Sequence, residues 1–211
     1  MSLEKSNNQF GIALFFTIFI AIACGVFILV FGKEESFFLI NGNHNNYLDF
    51  FFKYYTYTGD GWMWLTVLLF CLFFRKKYVL AVLLAVVIST LLSQFFKRVI
   101  FPEDLRPITY LSDNFPVHIV EGVKMNRLFS FPSGHSVAAF TMALLLAYII
   151  NKKSWSIILP ILALLAGYSR VYLAQHFLTD VVAGIIIGIV STLFSLMIYR
   201  AIFRNRNKKS N

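Results

Sequence analysis

The chain has 211 residues, of which 58% are hydrophobic and only 14% are charged. Soluble domains carry about 25% charged residues, so this composition indicates a membrane protein, and the length fits one compact bundle. The formal net charge is +9, but the basic residues form short clusters between apolar runs. That pattern argues against the continuous basic stripe of a nucleic-acid-binding protein and is typical of cytoplasmic loops and contact with anionic lipids.

Six apolar segments follow one another along the chain. The first runs without a charge from residue 6 to residue 32, which is enough to cross a hydrocarbon core about 30 Å thick. Residues 33–60 mix aromatic and charged side chains, which predicts a helix lying on the membrane surface plus turns. The other five spans are predicted at about residues 57–74, 78–96, 128–151, 154–168 and 177–199. The sequence therefore predicts an all-α, integral-membrane six-transmembrane helix bundle, with residues 1–211 forming a single domain.

Three basic clusters predict the orientation of this bundle. They are residues 75–77, residues 152–153 and the tail 200–211, and they lie at alternate helix ends. The positive-inside rule places all three, together with both termini and Lys5, in the cytoplasm. Asn114 then faces the exterior and Lys152 the cytoplasm. Six ionisable residues that are distant in sequence share the outer side: Lys97, Arg98, Arg106, His135, Arg170 and His176.

Ionisable groups at the edge of apolar segments are costly unless they have a function there. Arg170 offers a planar fork for phosphate oxygens. The run Pro132-Ser133-Gly134-His135 precedes an apolar segment, and a helix N-terminus at this point would present free N–H groups to an anion. Gly134 has no side chain to block a close approach, and Ser133 can donate its hydroxyl. These groups predict a phosphate-binding site.

A nucleophile and an acid accompany the predicted phosphate site. His176 and Asp180 are four residues apart, which predicts that they share one face of the sixth helix. The carboxylate can hold one imidazole nitrogen while the other attacks phosphorus. His135 can then protonate the leaving alkoxide. His44 and His118 lack partners in the sequence and are interpreted as ordinary loop residues.

No metal site or cofactor is predicted from the sequence. No cluster of carboxylates or histidines has the spacing of a divalent-metal site. Cys24 and Cys71 both lie inside apolar runs without metal-ligand spacing, which favours buried, inert thiols.

Residues 169–180, with Ser169-Arg170, His176 and Asp180 at fixed positions, resemble the third signature of the type 2 phosphatidic acid phosphatase superfamily. That superfamily also includes the vanadium-dependent haloperoxidases. The second signature resembles Pro132-Ser133-Gly134-His135. The first is a lysine, six residues and then Arg-Pro. Here Arg106-Pro107 is present, with eight residues between Lys97 and Arg106 and seven between Arg98 and Arg106, so both remain candidates for its basic residue.

The resemblance implies a metal-independent mechanism through a phosphohistidine. By this resemblance His176 attacks phosphorus, Asp180 orients it and His135 protonates the leaving group. The implied phosphate-binding residues are Lys97, Arg106, Ser133, Gly134 and Arg170.

The predicted function is that of an integral-membrane lipid phosphatase whose partners are a lipid phosphate and the bilayer, with no obligate protein partner and no nucleic acid. The substrate stays open between undecaprenyl diphosphate, phosphatidylglycerol phosphate, phosphatidic acid and lipid A phosphates. One alternative is a phosphotransferase that passes the phosphoryl group to another lipid. A second is a phosphate-lipid transporter, which would show repeat symmetry and broken helices at the membrane midplane. A bacterial inner membrane is the expected location, with the site facing the periplasm or exterior.

Overall fold

The structure is a computed structural model that describes residues 8–111 and 116–209. The predicted positions Lys5, Ser6 and Asn114 lie outside the described residues. Within those residues the regular elements are helices, without β-strands. In chain order the α-helices are α1 (Asn8–Asn41), α2 (Asn46–Tyr55), α3 (Gly61–Phe74), α4 (Val79–Phe95), α5 (Pro107–Tyr110), α6 (Gly134–Ile150), α7 (Lys153–Tyr172) and α8 (Leu178–Lys209).

The helices agree with a membrane-spanning bundle. Within residues 8–111 and 116–209, four helical segments are long and apolar enough to cross a bilayer: Asn8–Asn41, Lys76–Ile100, Lys153–Tyr172 and Leu178–Phe203. A fifth crossing forms if the bent pair Asn46–Gly59 and Gly61–Phe74, which meet at 57°, is one span. Helix α6 has 17 residues and is apolar but shorter. The predicted all-α membrane fold is thus confirmed, while the count of six spans stays a prediction.

The range of α1 contains two helices that meet at Gly32, so the first apolar segment ends at a break in the helix, as predicted. The second helix, which continues to Asn41, differs from the predicted surface helix because it buries side chains in the bundle. Gly32 takes φ +81° and ψ 173°, a conformation that glycine adopts without steric cost, so α1 bends there. The segment after the bend buries Phe37 fully against the bundle, where its ring lies 5.6 Å from that of Phe177.

Helix α6 lies at the centre of the bundle, packed against α1, α4, α7 and α8. Twelve of its 17 residues are buried. It begins at Gly134 rather than at residue 128, because residues 128–133 are not helical. Helix α8 approaches its first turn so closely that a Cβ on Gly184 would lie 2.6 Å from Ser136 Cβ and 2.9 Å from Ser133 O. The start of α6 is therefore fixed against the start of α8.

Candidate active site

His176 and Asp180 meet at the junction between α7 and α8. His176 Nδ1 lies 3.2 Å from Asp180 Oδ2. The prediction that the two residues share one face of the sixth helix is wrong, because α8 begins only at Leu178 and His176 precedes it. His176 lies in the preceding turn, where its backbone N–H donates to Arg170 O at 3.1 Å. Asp180 reaches back from the first turn of α8 and also accepts the N–H of Phe177 at 3.1 Å. The carboxylate thus caps the helix and holds the imidazole.

Two hydroxyl groups fix the Asp180 carboxylate further. Ser130 Oγ donates to Oδ2 at 2.5 Å, and Thr179 Oγ1 donates to Oδ1 at 3.1 Å. Ser130 is fully buried. This serine was not predicted from the sequence, because a hydroxyl residue in a loop has no spacing pattern that relates it to a carboxylate 50 positions away.

The surroundings of His176 keep its imidazole neutral. Its side chain is buried, and burial lowers the pKa of His176 well below the usual value, with the positive charges of Arg106, Lys97 and Arg170 acting in the same direction. A carboxylate can only accept from Nδ1, so the remaining proton of the neutral ring is on Nδ1. Nε2 then carries a free lone pair, which is the form a nucleophile needs.

Arg106 enters the same site from the loop between α4 and α6. Its Nη1 donates to Gln175 O at 3.2 Å and to Gln175 Oε1 at 3.0 Å, and its Nε donates to Leu128 O at 3.0 Å. Burial lowers the pKa of Arg106, and the nearby Asp180 carboxylate opposes that shift. Gln175 is buried and orients this guanidinium. Gln175 was not predicted from the sequence, although its position directly before His176 was a usable signal.

Arg170 lies in the last turn of α7 and is 7% exposed. Its Nη1 donates to Thr56 Oγ1 at 2.7 Å. Its Nε is buried without a hydrogen-bond partner. A buried donor without an acceptor is costly, and a phosphate oxygen is an acceptor that matches a guanidinium fork. Arg170 is therefore arranged as a donor to an anion.

The two candidate basic residues at the end of α4 point in different directions. They lie in a π-helical turn, Phe96–Ile100, that continues α4. Lys97 Nζ donates to Phe129 O at 2.8 Å and lies close enough to Arg106, Asp180 and Arg170 to interact with them electrostatically. Arg98 is exposed and donates to Gln94 Oε1 at 2.8 Å. The structure thus brings Lys97, and not Arg98, to the cationic site.

The first turn of α6 supplies further donors. Ser133 is the N-cap: its Oγ accepts from Ser136 N at 3.4 Å and from Ser136 Oγ at 2.9 Å, which leaves its own O–H free to donate. A Cβ on Gly134 would meet only Ser93 Oγ at 3.6 Å, an ordinary contact. The packing of the chain therefore does not require glycine at this position. His135 lies within electrostatic range of Arg170 and His176.

Two charged residues that were not predicted from the sequence, Asp104 and Lys33, complete the surroundings of the site. Asp104 Oδ2 accepts the N–H of Phe131 at 3.1 Å, and burial, followed by repulsion from Asp180, raises the pKa of Asp104. Lys33 Nζ lies 4.2 Å above the ring of Phe177, a cation–π geometry. Lys33 reaches this place because α1 continues past Gly32.

His44 and His118 do have partners, so their interpretation as partnerless loop residues is wrong. Their rings stack at 3.6 Å with an interplanar angle of 1°. His118 Nε2 lies 2.9 Å from Asp49 Oδ1, and Tyr172 donates its hydroxyl to the same oxygen at 2.5 Å. These contacts fasten the loop around His118 to α2 and to the end of α7.

Metal ligands are not clustered in the described part of the chain. No group of three or more histidine, cysteine or acidic residues in residues 8–111 and 116–209 is arranged to hold a metal ion. The positive charges described around the site are those of Lys97, Arg106 and Arg170, together with Lys33 near Asp104 and Asp180.

An all-α membrane bundle with a histidine–carboxylate pair among three convergent cations is suited to phosphoryl transfer. The sequence model of the PAP2 superfamily matches residues 76–204, more than half of the chain. The chain belongs to the PAP2 superfamily, and the family predicted from the sequence motifs is confirmed.

Several known proteins are similar to this chain. An undecaprenyl-diphosphatase of Sulfolobus acidocaldarius is 31% identical over 171 residues, which cover 78% of this chain and 77% of the relative. A lipid A 4'-phosphatase of Porphyromonas gingivalis is 31% identical over 176 residues, covering 79% of this chain and 72% of the relative. Both alignments extend over most of each protein.

Two crystal structures share the fold. That of Aquifex aeolicus LpxE superposes with a TM-score of 0.70 at 34% sequence identity, covering 78% of this chain and 94% of LpxE. That of a transmembrane PAP2 type phosphatidylglycerolphosphate phosphatase from Bacillus subtilis superposes with a TM-score of 0.64 at 25% identity, covering 90% and 95%. The similarity therefore includes the architecture of the bundle as well as its motifs.

Proposed function

We propose that the chain is a lipid phosphatase that acts through a phosphohistidine on His176. Its relatives are named as phosphatases of lipid phosphates, in agreement with the reaction class predicted from the sequence. The observation that carries the proposed mechanism is the contact of 3.2 Å between His176 Nδ1 and Asp180. This contact directs a neutral imidazole nitrogen away from the carboxylate and into a site that Arg106, Lys97 and Arg170 make positive.

The proposed reaction has two steps. His176 Nε2 attacks phosphorus and the bond from phosphorus to the leaving oxygen breaks. His135, which the negative charge of the bound phosphate keeps protonated, gives that oxygen its proton. Water then attacks the phosphohistidine and returns a proton to His135, so that inorganic phosphate leaves and both histidines regain their first state. The negative charge of the transition state is stabilised by Lys97, Arg106, Arg170 and the donors of Ser133 and Gly134.

The proposed substrate is a phosphate monoester or diphosphate of a membrane lipid. The names of the relatives include an undecaprenyl-diphosphatase, a lipid A 4'-phosphatase and a phosphatidylglycerophosphatase. The three convergent cations suit a multiply charged anion attached to an apolar body. Undecaprenyl diphosphate, phosphatidylglycerol phosphate, phosphatidic acid and lipid A phosphates are all candidates of this chemistry.

We further propose the setting of the enzyme. Residues 1–211 form a single domain, a proposal supported by the packing of α1, α4, α7 and α8 around α6. The domain lies in the inner membrane of a bacterium, since three of the four relatives and structures described above come from bacteria. Both termini lie in the cytoplasm and the site opens to the exterior. The basic clusters at residues 75–77 and 152–153, on the side opposite to the site, support this orientation.

The test is phosphate release by the purified protein from a panel of these lipids, together with trapping of a phosphoenzyme. His176→Ala should lower turnover by about 10³-fold or more, since no other nucleophile replaces the imidazole, and should abolish the acid-labile phosphoenzyme. His44→Ala is the matched control and should retain both, because His44 lies outside the site. A phosphoenzyme that persists in His176→Ala would contradict the mechanism. Transfer of the label to an added lipid, without free phosphate, would identify a phosphotransferase instead.

A further inference from the structure

A short non-helical segment, residues 127–131, lies just before α6 and is called the strap below. Its first three carbonyl groups all accept hydrogen bonds from Lys97 or Arg106. These bonds run from Arg106 N to Arg127 O at 3.0 Å, from Arg106 Nε to Leu128 O at 3.0 Å and from Lys97 Nζ to Phe129 O at 2.8 Å. The strap therefore touches two of the cations that are proposed to bind phosphate.

Ser130, the fourth residue of the strap, contacts both members of the histidine–carboxylate pair. Its Oγ donates to Asp180 Oδ2, the same oxygen that lies 3.2 Å from His176 Nδ1. Its backbone lies close enough to the His176 imidazole to interact with it. Ser130 is fully buried, so bulk water does not replace its hydroxyl group. A shift of the strap at Ser130 would therefore change the direction of the imidazole.

Asp104 holds this part of the strap by two hydrogen bonds. Its backbone oxygen accepts from Ser130 N at 3.0 Å, and its carboxylate Oδ2 accepts from Phe131 N at 3.1 Å. The ring of Phe131 also packs edge-to-face on the ring of Phe101, with 4.7 Å between their centroids. One residue thus binds two consecutive N–H groups of the strap, and only the bond to Phe131 depends on its side chain.

Asp104 lies where the sequence departs from the first signature of the superfamily. Eight residues separate Lys97 from Arg106, two more than in that signature. The chain turns at residues 101–103, and Asp104 N donates to Phe101 O at 3.5 Å across this turn. The longer segment therefore contains a turn whose last residue is bonded to the strap.

The Asp104 carboxylate is unsuited to contact with the phosphate itself. Negative groups at close range repel each other, and repulsion from Asp180 adds to burial in raising the pKa of Asp104. Lys33 and Lys97 oppose that shift and favour the charged form. The geometry instead shows the carboxylate as an acceptor for the backbone of the strap.

We propose that Asp104 is a positioning residue, which fixes the strap and, through Ser130, the direction of the His176 imidazole. The inference rests on the proposed function. A displacement of about 1 Å at a reacting group can lower a rate by about 10²-fold. The loss of one bond that holds the strap should therefore reduce phosphoryl transfer, although Asp104 itself does not bind the phosphate.

The test measures phosphoenzyme formation, kcat and KM with an aryl phosphate. Asp104→Ala removes the acceptor of the Phe131 N–H and should lower kcat by about 10- to 100-fold. Asp104→Asn keeps an oxygen acceptor at the same place and should retain kcat within about threefold. Glu103→Gln is the matched control, because Glu103 is an exposed carboxylate one position away, and it should leave kcat and KM unchanged.

Ser130→Ala provides a second measurement. It should lower kcat with little change in KM, because the Ser130 hydroxyl contacts Asp180 and not the cations. If Asp104 acts through Ser130, the double variant Asp104→Ala/Ser130→Ala should lose less than the product of the two single losses, since coupled residues are not additive.

Thermal unfolding in detergent is recorded for every variant, and rates are compared well below the lowest unfolding temperature. Asp104→Ser replaces Asp104→Ala if the alanine variant does not fold, because the shorter hydroxyl side chain does not reach Phe131 N. Losses that multiply in the double variant would overturn the proposal.

An unchanged kcat in Asp104→Ala would also overturn the proposal. Equal losses in Asp104→Ala and Asp104→Asn would do the same, because they would assign the effect to the charge and not to the hydrogen bond. The failure of the proposed function looks different: the wild type itself would then release no phosphate and form no phosphoenzyme.

Discussion

Lys97 and Arg98 are adjacent cations, yet the structure gives them different surroundings. Lys97 lies near Arg106 and Asp180, whereas Arg98 is exposed and bonded to Gln94. Lys97→Ala should therefore lower kcat/KM by about 10²-fold, as the loss of a donor to the transition state does. Arg98→Ala, its matched control, should change kcat/KM by less than about twofold, since a bond on the exposed surface contributes little. Both variants are assayed in the same detergent, and the reverse pattern would assign the phosphate contact to Arg98.

The lowered pKa of His176 also predicts how the stability of the protein depends on pH. The folded-state pKa of His176 lies well below its usual value, whereas in the unfolded chain it is about 6.5. Below pH 6.5 the unfolded state therefore binds a proton that the folded state does not. As the pH decreases further, the free energy of unfolding decreases by up to about 1.4 kcal/mol per pH unit. Above pH 6.5 the effect is absent.

The measurement is the free energy of unfolding in detergent between pH 7.5 and pH 5, for the wild type and for His176→Gln. The difference between the two proteins should shift against the wild type as the pH falls, because only the wild type has this titrating group. A difference that stays constant over the whole range would contradict the depressed pKa. Both proteins carry His135→Gln as well, because His135 interacts electrostatically with His176 and would titrate differently in the two proteins.

The sequence motifs predicted which residues meet at the site, but they did not predict the polar residues that orient them. Lys97, Arg106, His135, Arg170, His176 and Asp180 come together from three signatures. The residues that hold them in position belong to none of these signatures. Ser130, Gln175 and Thr56 are ordinary polar residues whose partners lie between 50 and 114 positions away. Such contacts follow from the packing of the helices, which no local pattern contains.

Helix α8 depends on glycine where it crosses the start of α6. A Cβ on Gly184 would lie 2.6 Å from Ser136 Cβ and 2.9 Å from the backbone oxygen of Ser133. Gly184→Ala should destabilise the protein by about 1–3 kcal/mol, the usual effect of overpacking, and should lower activity by displacing the cap of α6. Gly25→Ala is the control, since no atom lies within 4 Å of its Cβ position. It should be neutral or slightly stabilising because alanine favours helix. Thermal unfolding in detergent measures both, and equal effects would contradict the close crossing.

The hydropathy of the sequence was sufficient to predict some of the helix ends, but it did not predict how each helix packs. The span predicted over residues 78–96 agrees with α4 at Val79–Phe95, because a charged cluster bounds it at each end. The predicted end of the first apolar segment at residue 32 falls on the break at Gly32. The helix beyond the break was not predicted to pack into the bundle, where the burial of Phe37 against Phe177 stabilises it. That contact depends on tertiary structure.

In the whole molecule, the cationic site and the basic clusters lie at opposite ends of the helices. Arg170 and Lys97 are at the ends of α7 and α4 that face the site, while Lys152 precedes α7 and Lys77 precedes α4. This polarity follows from the helices themselves and holds whichever face is cytoplasmic. In the proposed orientation, in which the positive-inside rule places the clusters in the cytoplasm, a substrate would reach the site from the exterior leaflet.

Cysteine labelling on intact cells tests this orientation. With Cys24 and Cys71 replaced by alanine, a cysteine at Asn126, an exposed position in the loop before α6, should react with an impermeant thiol reagent. A cysteine at Lys152, exposed at the opposite end of α6, should react only after the membrane is permeabilised. Each variant is first shown to release phosphate, so that labelling reports the functional fold. Labelling of Lys152→Cys but not of Asn126→Cys on intact cells would reverse the topology and place the site in the cytoplasm, because both positions are fixed to the ends of one central helix.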